Sequence, residues 1–103
     1  MKRVNPLRLE IHPQAAAEAR QARAWYSDRS PAVAASFVAE LDLALERICA
    51  SPKEWPVYLR GTRVYQLPRF PYLAVFLESD DLVQLIAVAH GKRKPGYWIQ
   101  RLG

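Results

Sequence analysis

The stretch "RVYQLPRFPYLAVFLESDDLVQLIAVAH", residues 63–90, decides the fold. It divides into three runs rich in valine, isoleucine, phenylalanine and tyrosine, at 63–67, 72–78 and 82–89, parted by "PRFP" and "SDD". Periodicity alone does not separate an unbroken apolar run from a buried helix, but runs this short with this composition favour strands. The second and third are almost continuously apolar, as central strands covered by other elements are.

Working outward from these strands, "SPKEWPVYLRG" at 51–61 carries two prolines and a glycine and reads as a loop, with Trp55 packed inside it. Ahead of it Val33, Phe37, Leu41, Leu45 and Ile48 recur at steps of three or four. That spacing predicts a helix from Pro31 to about Cys49 with those five side chains in the core, capped by Ser30 and with proline tolerated at its first position. Glu40, Asp42 and Glu46 are expected on its solvated side. Residues 15–29 are rich in alanine, arginine and glutamine and predict another helix, whose Trp25 and Tyr26 join it to the sheet. The short connection makes the two an antiparallel hairpin. Leu7, Leu9 and Ile11 alternate with Arg8 and Glu10, a first strand that His12-Pro13 stops.

The order strand, helix, helix, strand, strand, strand implies an α+β fold. An antiparallel meander with an N-terminal strand carries the helical hairpin on one face, in one domain spanning residues 1–103. The opposite face of the sheet and the C-terminal segment are expected to be open to partners.

A formal charge of +5 suits an acidic partner, be it nucleic acid, protein or anionic membrane. The lone Cys49 cannot form an internal disulfide and reads as a small buried apolar residue. No secretory leader is recognisable at the start, so a cytoplasmic location is expected. The apolar runs at 72–77 and 85–89 are too short for a membrane span, so no membrane partner is expected. His12 and His90 are the only histidines and no Cys/His cluster exists, so no metal or other cofactor is expected.

The segment "VAHGKRKPGYWIQR" at 88–101 gathers His90, Lys92, Arg93, Lys94, Tyr97, Trp98 and Arg101 without a carboxylate. As a site, its cations would contact phosphates or receive carboxylates, its aromatics would stack on bases, and His90 would titrate near neutrality. As plain structure, it would be a charged turn in which His90 is a hydrogen-bonder and Trp98 seals the edge of the core.

Taken together, "AWYSDRSPAVAASFVAELDLALERI", "SPKEWP", "RVYQL", "RFPYLAVF" and "IAVAHGKRKPGYWIQR" resemble the RelE/ParE toxin superfamily of bacterial type II toxin–antitoxin modules. The Phe-Pro-Tyr at 70–72 and the His-x-x-Arg-x-Pro-x-Tyr-Trp ending from His90 to Trp98 are similar to its ParE-like, plasmid-stabilisation branch. The resemblance implies the fold just derived, a cognate antitoxin protein as partner, and growth inhibition by the free toxin. Known relatives act in two ways: RelE-like members cut messenger RNA on the ribosome, whereas ParE members poison DNA gyrase. The RelE-like nucleases carry lysines and an arginine at places that here fall on Val64, Gln66 and Leu73, none of which can be cationic. DNA gyrase is therefore the expected target. The alternatives are an endoribonuclease using His90, Arg93 and Tyr97 as catalytic residues, and a non-toxic antitoxin-binding domain. Arg63, Arg69, Lys92, Arg93, Lys94, Trp98 and Arg101 are the expected target- or antitoxin-binding residues.

Overall fold

In the computed structural model, which describes residues 6–103, a short strand leads directly into a helix. The expectation about a leader rests partly on the first five residues, which lie outside that range. Strand β1 (Arg8–Ile11) gives way at His12 to helix α1 (Pro13–Ser27). Pro13 has no N–H for a ladder but suits the first turn of a helix, and His12 Nδ1 accepts the Gln14 N–H at 3.0 Å. This cap starts α1 ahead of the expected Ala15. Helix α2 (Pro31–Ala50) follows, with Ser30 Oγ accepting the Val33 N–H at 3.3 Å.

Strands β2 (Arg63–Gln66), β3 (Tyr72–Glu78) and β4 (Leu82–His90) form the expected antiparallel meander, and β1 joins it in parallel along β4. The strand order is β1-β4-β3-β2, with the two helices making the crossover that a parallel neighbour requires. Among the described residues, no helix is long and apolar enough to cross a membrane.

One face of the sheet meets the helices. Phe37, Ala44 and Ile48 of α2, with Ala15 and Ala22 of α1, bury against Ala74, Phe76, Val83, Leu85 and Val88. Tyr26, Phe37, Phe70 and Tyr72 pack ring to ring at centroid distances of 5.1–5.5 Å, so Tyr26 does join α1 to the sheet. The expected core stripe of α2 needs correction, because the buried positions are Ala34, Phe37, Leu41, Ala44, Ile48 and Cys49. Val33 falls on its flank and is 41 % exposed, as is Trp25 at 53 % on α1. Glu40 is also not solvated: it accepts the Arg69 backbone N–H at 2.9 Å and Arg69 Nε–H at 2.7 Å, pinning the turn between β2 and β3 to α2.

The other face is covered too, contrary to the expectation that it stands open. Val75, Ile86, Ala87 and Ala89 bury with Trp98, and Tyr58, Val64, Leu73, Ile99 and Leu102 pack around them. Strands apolar on both faces require cover on both, and the chain's end supplies it in a 3-10 turn, Ile99–Leu102. The β3–β4 register shifts between Val75, opposite Ala87, and Phe76, opposite Leu85, leaving Ile86 as an extra residue. This bulge places Ile86 and Ala87 together on the second face and returns Val88 to the helix side.

Candidate functional site

Strand β4 outruns β1, whose last partner is Leu85, so the edge of β4 beyond that point lacks a strand. Two side chains complete it. Glu18 Oε1 accepts the Val88 N–H at 3.0 Å, and Arg101 donates through one guanidinium nitrogen to the Ile86 carbonyl at 3.1 Å. The same two residues form a bidentate pair, at 2.9 Å to Glu18 Oε1 and 3.0 Å to Oε2. The Tyr97 hydroxyl donates to Oε2 at 2.6 Å, and Arg93 approaches it at 3.7 Å while its guanidinium lies 3.6 Å from the centre of the Tyr97 ring. The C-terminal cluster thus finds the carboxylate it lacks in α1.

Gly96 makes the turn into this arrangement. Its φ of +84° favours glycine, and a Cβ there would stand 2.9 Å from Ile99 Cδ1, the tip of a side chain that would have to turn aside.

Burial alone would raise the Glu18 carboxyl, but hydrogen bonds from Arg101, Tyr97 and the Val88 amide, with the charge of Arg101, outweigh it and hold the group below its ordinary value. Burial, then the hydrogen bond to Glu18 and its negative charge, push the Tyr97 phenol up to about 12. The Glu18 hydrogen bond also raises the Arg101 guanidinium.

Above this floor opens a cleft of about 420 Å³. Helix α1 contributes Glu18, Gln21, Ala22, Trp25 and Tyr26; the sheet contributes Pro71, Tyr72, Val88 and His90; the C-terminal segment contributes Arg93 and Tyr97. His90 Nδ1 accepts the Lys92 N–H at 3.0 Å, and its ring meets Tyr72 edge to face at 5.1 Å. His90, Arg93 and Tyr97, expected to act together, therefore line one cleft. Lys92 and Lys94 are exposed on the turn beside it.

Of the other expected binding residues, Trp98, Arg101 and Arg63 face inward, whereas Arg69 keeps an exposed side chain. Trp98 is 1 % exposed and cannot stack on a partner; it is the edge seal of the second core. Arg101 is held by Glu18 with only 11 % of its side chain exposed. Arg63 donates to the Trp55 carbonyl at 2.8 Å and lies 4.0 Å from Glu78, tying the loop to β2. Arg69 serves Glu40. Cys49 is buried, as expected, with burial raising its thiol.

Glu18 is the residue that sequence reasoning missed. The available signal was its solitude: it is the only acidic residue of α1, facing a cation-rich segment with no carboxylate. A larger groove of about 940 Å³ between α2 and β1 holds none of the expected catalytic residues and is mostly apolar, with Leu9, Ile11, Leu43 and Leu45 in its walls.

The model of the family described as the ParE toxin of the type II toxin–antitoxin system, parDE, matches residues 9–95. Glu18, His90 and Arg93 fall inside the match, and Tyr97 and Arg101 beyond it. A solved structure, a chain of the chromosomal ParDE toxin–antitoxin system from P. aeruginosa, superposes with a TM-score of 0.72 at 19 % identity, covering 82 % of this chain and 95 % of that one. At that identity the likeness is one of fold. Among curated proteins none matches the sequence.

Proposed function

The chain belongs to the ParE toxin family of type II toxin–antitoxin systems, and on that footing we propose that a cognate antitoxin protein neutralises it and that the free toxin arrests growth by acting on DNA gyrase, in the cytoplasm, rather than by cutting RNA. The observation that carries this reading is that Glu18 takes up Tyr97, one of the three residues of the alternative nuclease set, together with Arg101. RNA cleavage through the 2′-hydroxyl needs a base, cations for the transition-state phosphate and a donor to the leaving oxygen. Here Arg101 is committed to Glu18, and the Tyr97 hydroxyl donates its hydrogen bond to the same carboxylate.

The three strand positions where the nucleases carry cations do not supply them here. Val64 and Leu73 pack against the second core, and Gln66 is uncharged.

The purified chain tests this directly. Added to gyrase and relaxed plasmid, it should stall supercoiling, while a messenger RNA incubated with it and with translating ribosomes stays intact. Normal supercoiling together with cut RNA would replace this reading with the nuclease one and make His90 and Arg93 the catalytic candidates.

A further inference from the structure

The cleft between α1 and the ends of β3 and β4 holds polar groups that the Glu18 cluster leaves unspent. Arg93 is half exposed, stacked flat on Tyr97, and too far from Glu18 at 3.7 Å for a hydrogen bond. Stacking fixes the plane of its guanidinium while leaving N–H groups free for a second acceptor. Because His90 Nδ1 already accepts the Lys92 N–H, the neutral ring carries its proton on Nε2, as a donor. The ionised groups lining or flooring the cleft are Glu18, Arg93 and Arg101, which leave one positive charge in surplus. Its walls are apolar and aromatic, from Ala22, Trp25, Tyr26 and Tyr72, and the guanidinium of Arg29 sits 3.5 Å from the centre of the Trp25 ring.

One surplus charge, fixed donors and aromatic walls describe a receptor for a single anionic group on an apolar stem. We infer that the cleft is a carboxylate-recognition site for an acidic segment of a protein partner: an Asp or Glu side chain is seated between Arg93 and His90 Nε2–H, and the flanking apolar residues pack on Trp25 and Tyr72. A nucleic-acid strand is the competing occupant; the apolar and aromatic walls of Ala22, Trp25, Tyr26 and Tyr72 favour a carboxylate on an apolar stem over successive phosphates. The inference rests on the reading that the chain acts through protein partners. It is tested on the purified chain without gyrase or antitoxin, so its failure leaves the supercoiling result untouched.

The probe is a blocked pentapeptide, Ala-Leu-Glu-Phe-Ala, titrated into labelled protein and followed by NMR. Saturable shifts of the Arg93 Nε–H, His90 ring and Trp25 indole signals are expected. Replacing the peptide's glutamate by glutamine should weaken binding about tenfold, and Arg93→Lys in the protein by a similar factor, because both remove the bidentate charged pair. An unshifted Trp98 signal in the Arg93→Lys protein verifies the fold. The inference is overturned by equal binding of the glutamine peptide, by shifts centred on the groove between α2 and β1, by no saturation at millimolar peptide, or by a single-stranded RNA hexamer that binds the same signals more tightly at the same salt.

Discussion

Glu18 and Arg101, separated by 83 residues, close a bidentate ion pair that stands in for the strand β4 lacks beyond Leu85. One partner accepts the Val88 N–H and the other donates to the Ile86 carbonyl, so the pair satisfies an open sheet edge while fastening the chain's end to α1. The cover of the second core depends on that fastening, because Trp98 and Ile99 lie between the edge and Arg101.

Removing either partner should therefore destabilise more than a surface ion pair would. Arg101→Ala leaves a carboxylate that is 11 % exposed with only Arg93, at 3.7 Å, as a nearby cation, and Glu18→Gln strands the Arg101 guanidinium. Each is expected to cost about 3 kcal/mol in urea unfolding. The double variant should cost less than the sum of the two, and the Val88 amide should exchange faster in Arg101→Ala than in the parent.

The pH dependence follows from the same groups. Glu18 titrates below its ordinary value of 4.5 in the folded chain, so its contribution is complete above that pH and is lost as pH falls through the folded value. Tyr97 runs the other way: raised from 10.0 to about 12, it contributes fully below pH 10.0 and loses that contribution as pH climbs toward 12. Glu18→Gln should flatten the acid limb of stability. It should also bring one phenol, followed by its phenolate absorbance, back toward 10.0.

Much of this was legible in the sequence. The spacing of Phe37, Leu41 and Ile48 gave the buried face of α2, and the prolines and aspartates bounding 72–78 and 82–89 placed two strands nearly to the residue. Periodicity misjudged Val33 because a stripe of three-and-four steps fits either Val33 or Ala34 as its first member, and small Ala34 is the one that is buried. The parallel placement of β1 and the bulge at Ile86 depend on contacts between distant segments, which local pattern does not encode. Glu18 escaped for the same reason: its partners lie 70 and more residues away.

That correction is itself testable. Phe37→Ala should cost about 4 kcal/mol, as for a fully buried aromatic. Val33→Ala, in the same apparent stripe, should stay within about 0.5 kcal/mol. Thermal or urea unfolding of the pair separates the two positions.

Gly96→Ala combines a left-handed backbone with a Cβ 2.9 Å from Ile99 Cδ1. A loss of about 2 kcal/mol is expected. The strain should be felt at Tyr97, whose ring signals should shift while those of Phe37 do not.

The central claim is that this ParE-family toxin acts on DNA topology and not on RNA. The most direct measurement is controlled expression of the chain alone, following growth, plasmid supercoiling and messenger-RNA integrity in the same cells. Arrest with disturbed supercoiling and intact transcripts is expected. Arrest with cleaved transcripts and normal supercoiling, or no arrest at all, would contradict the claim.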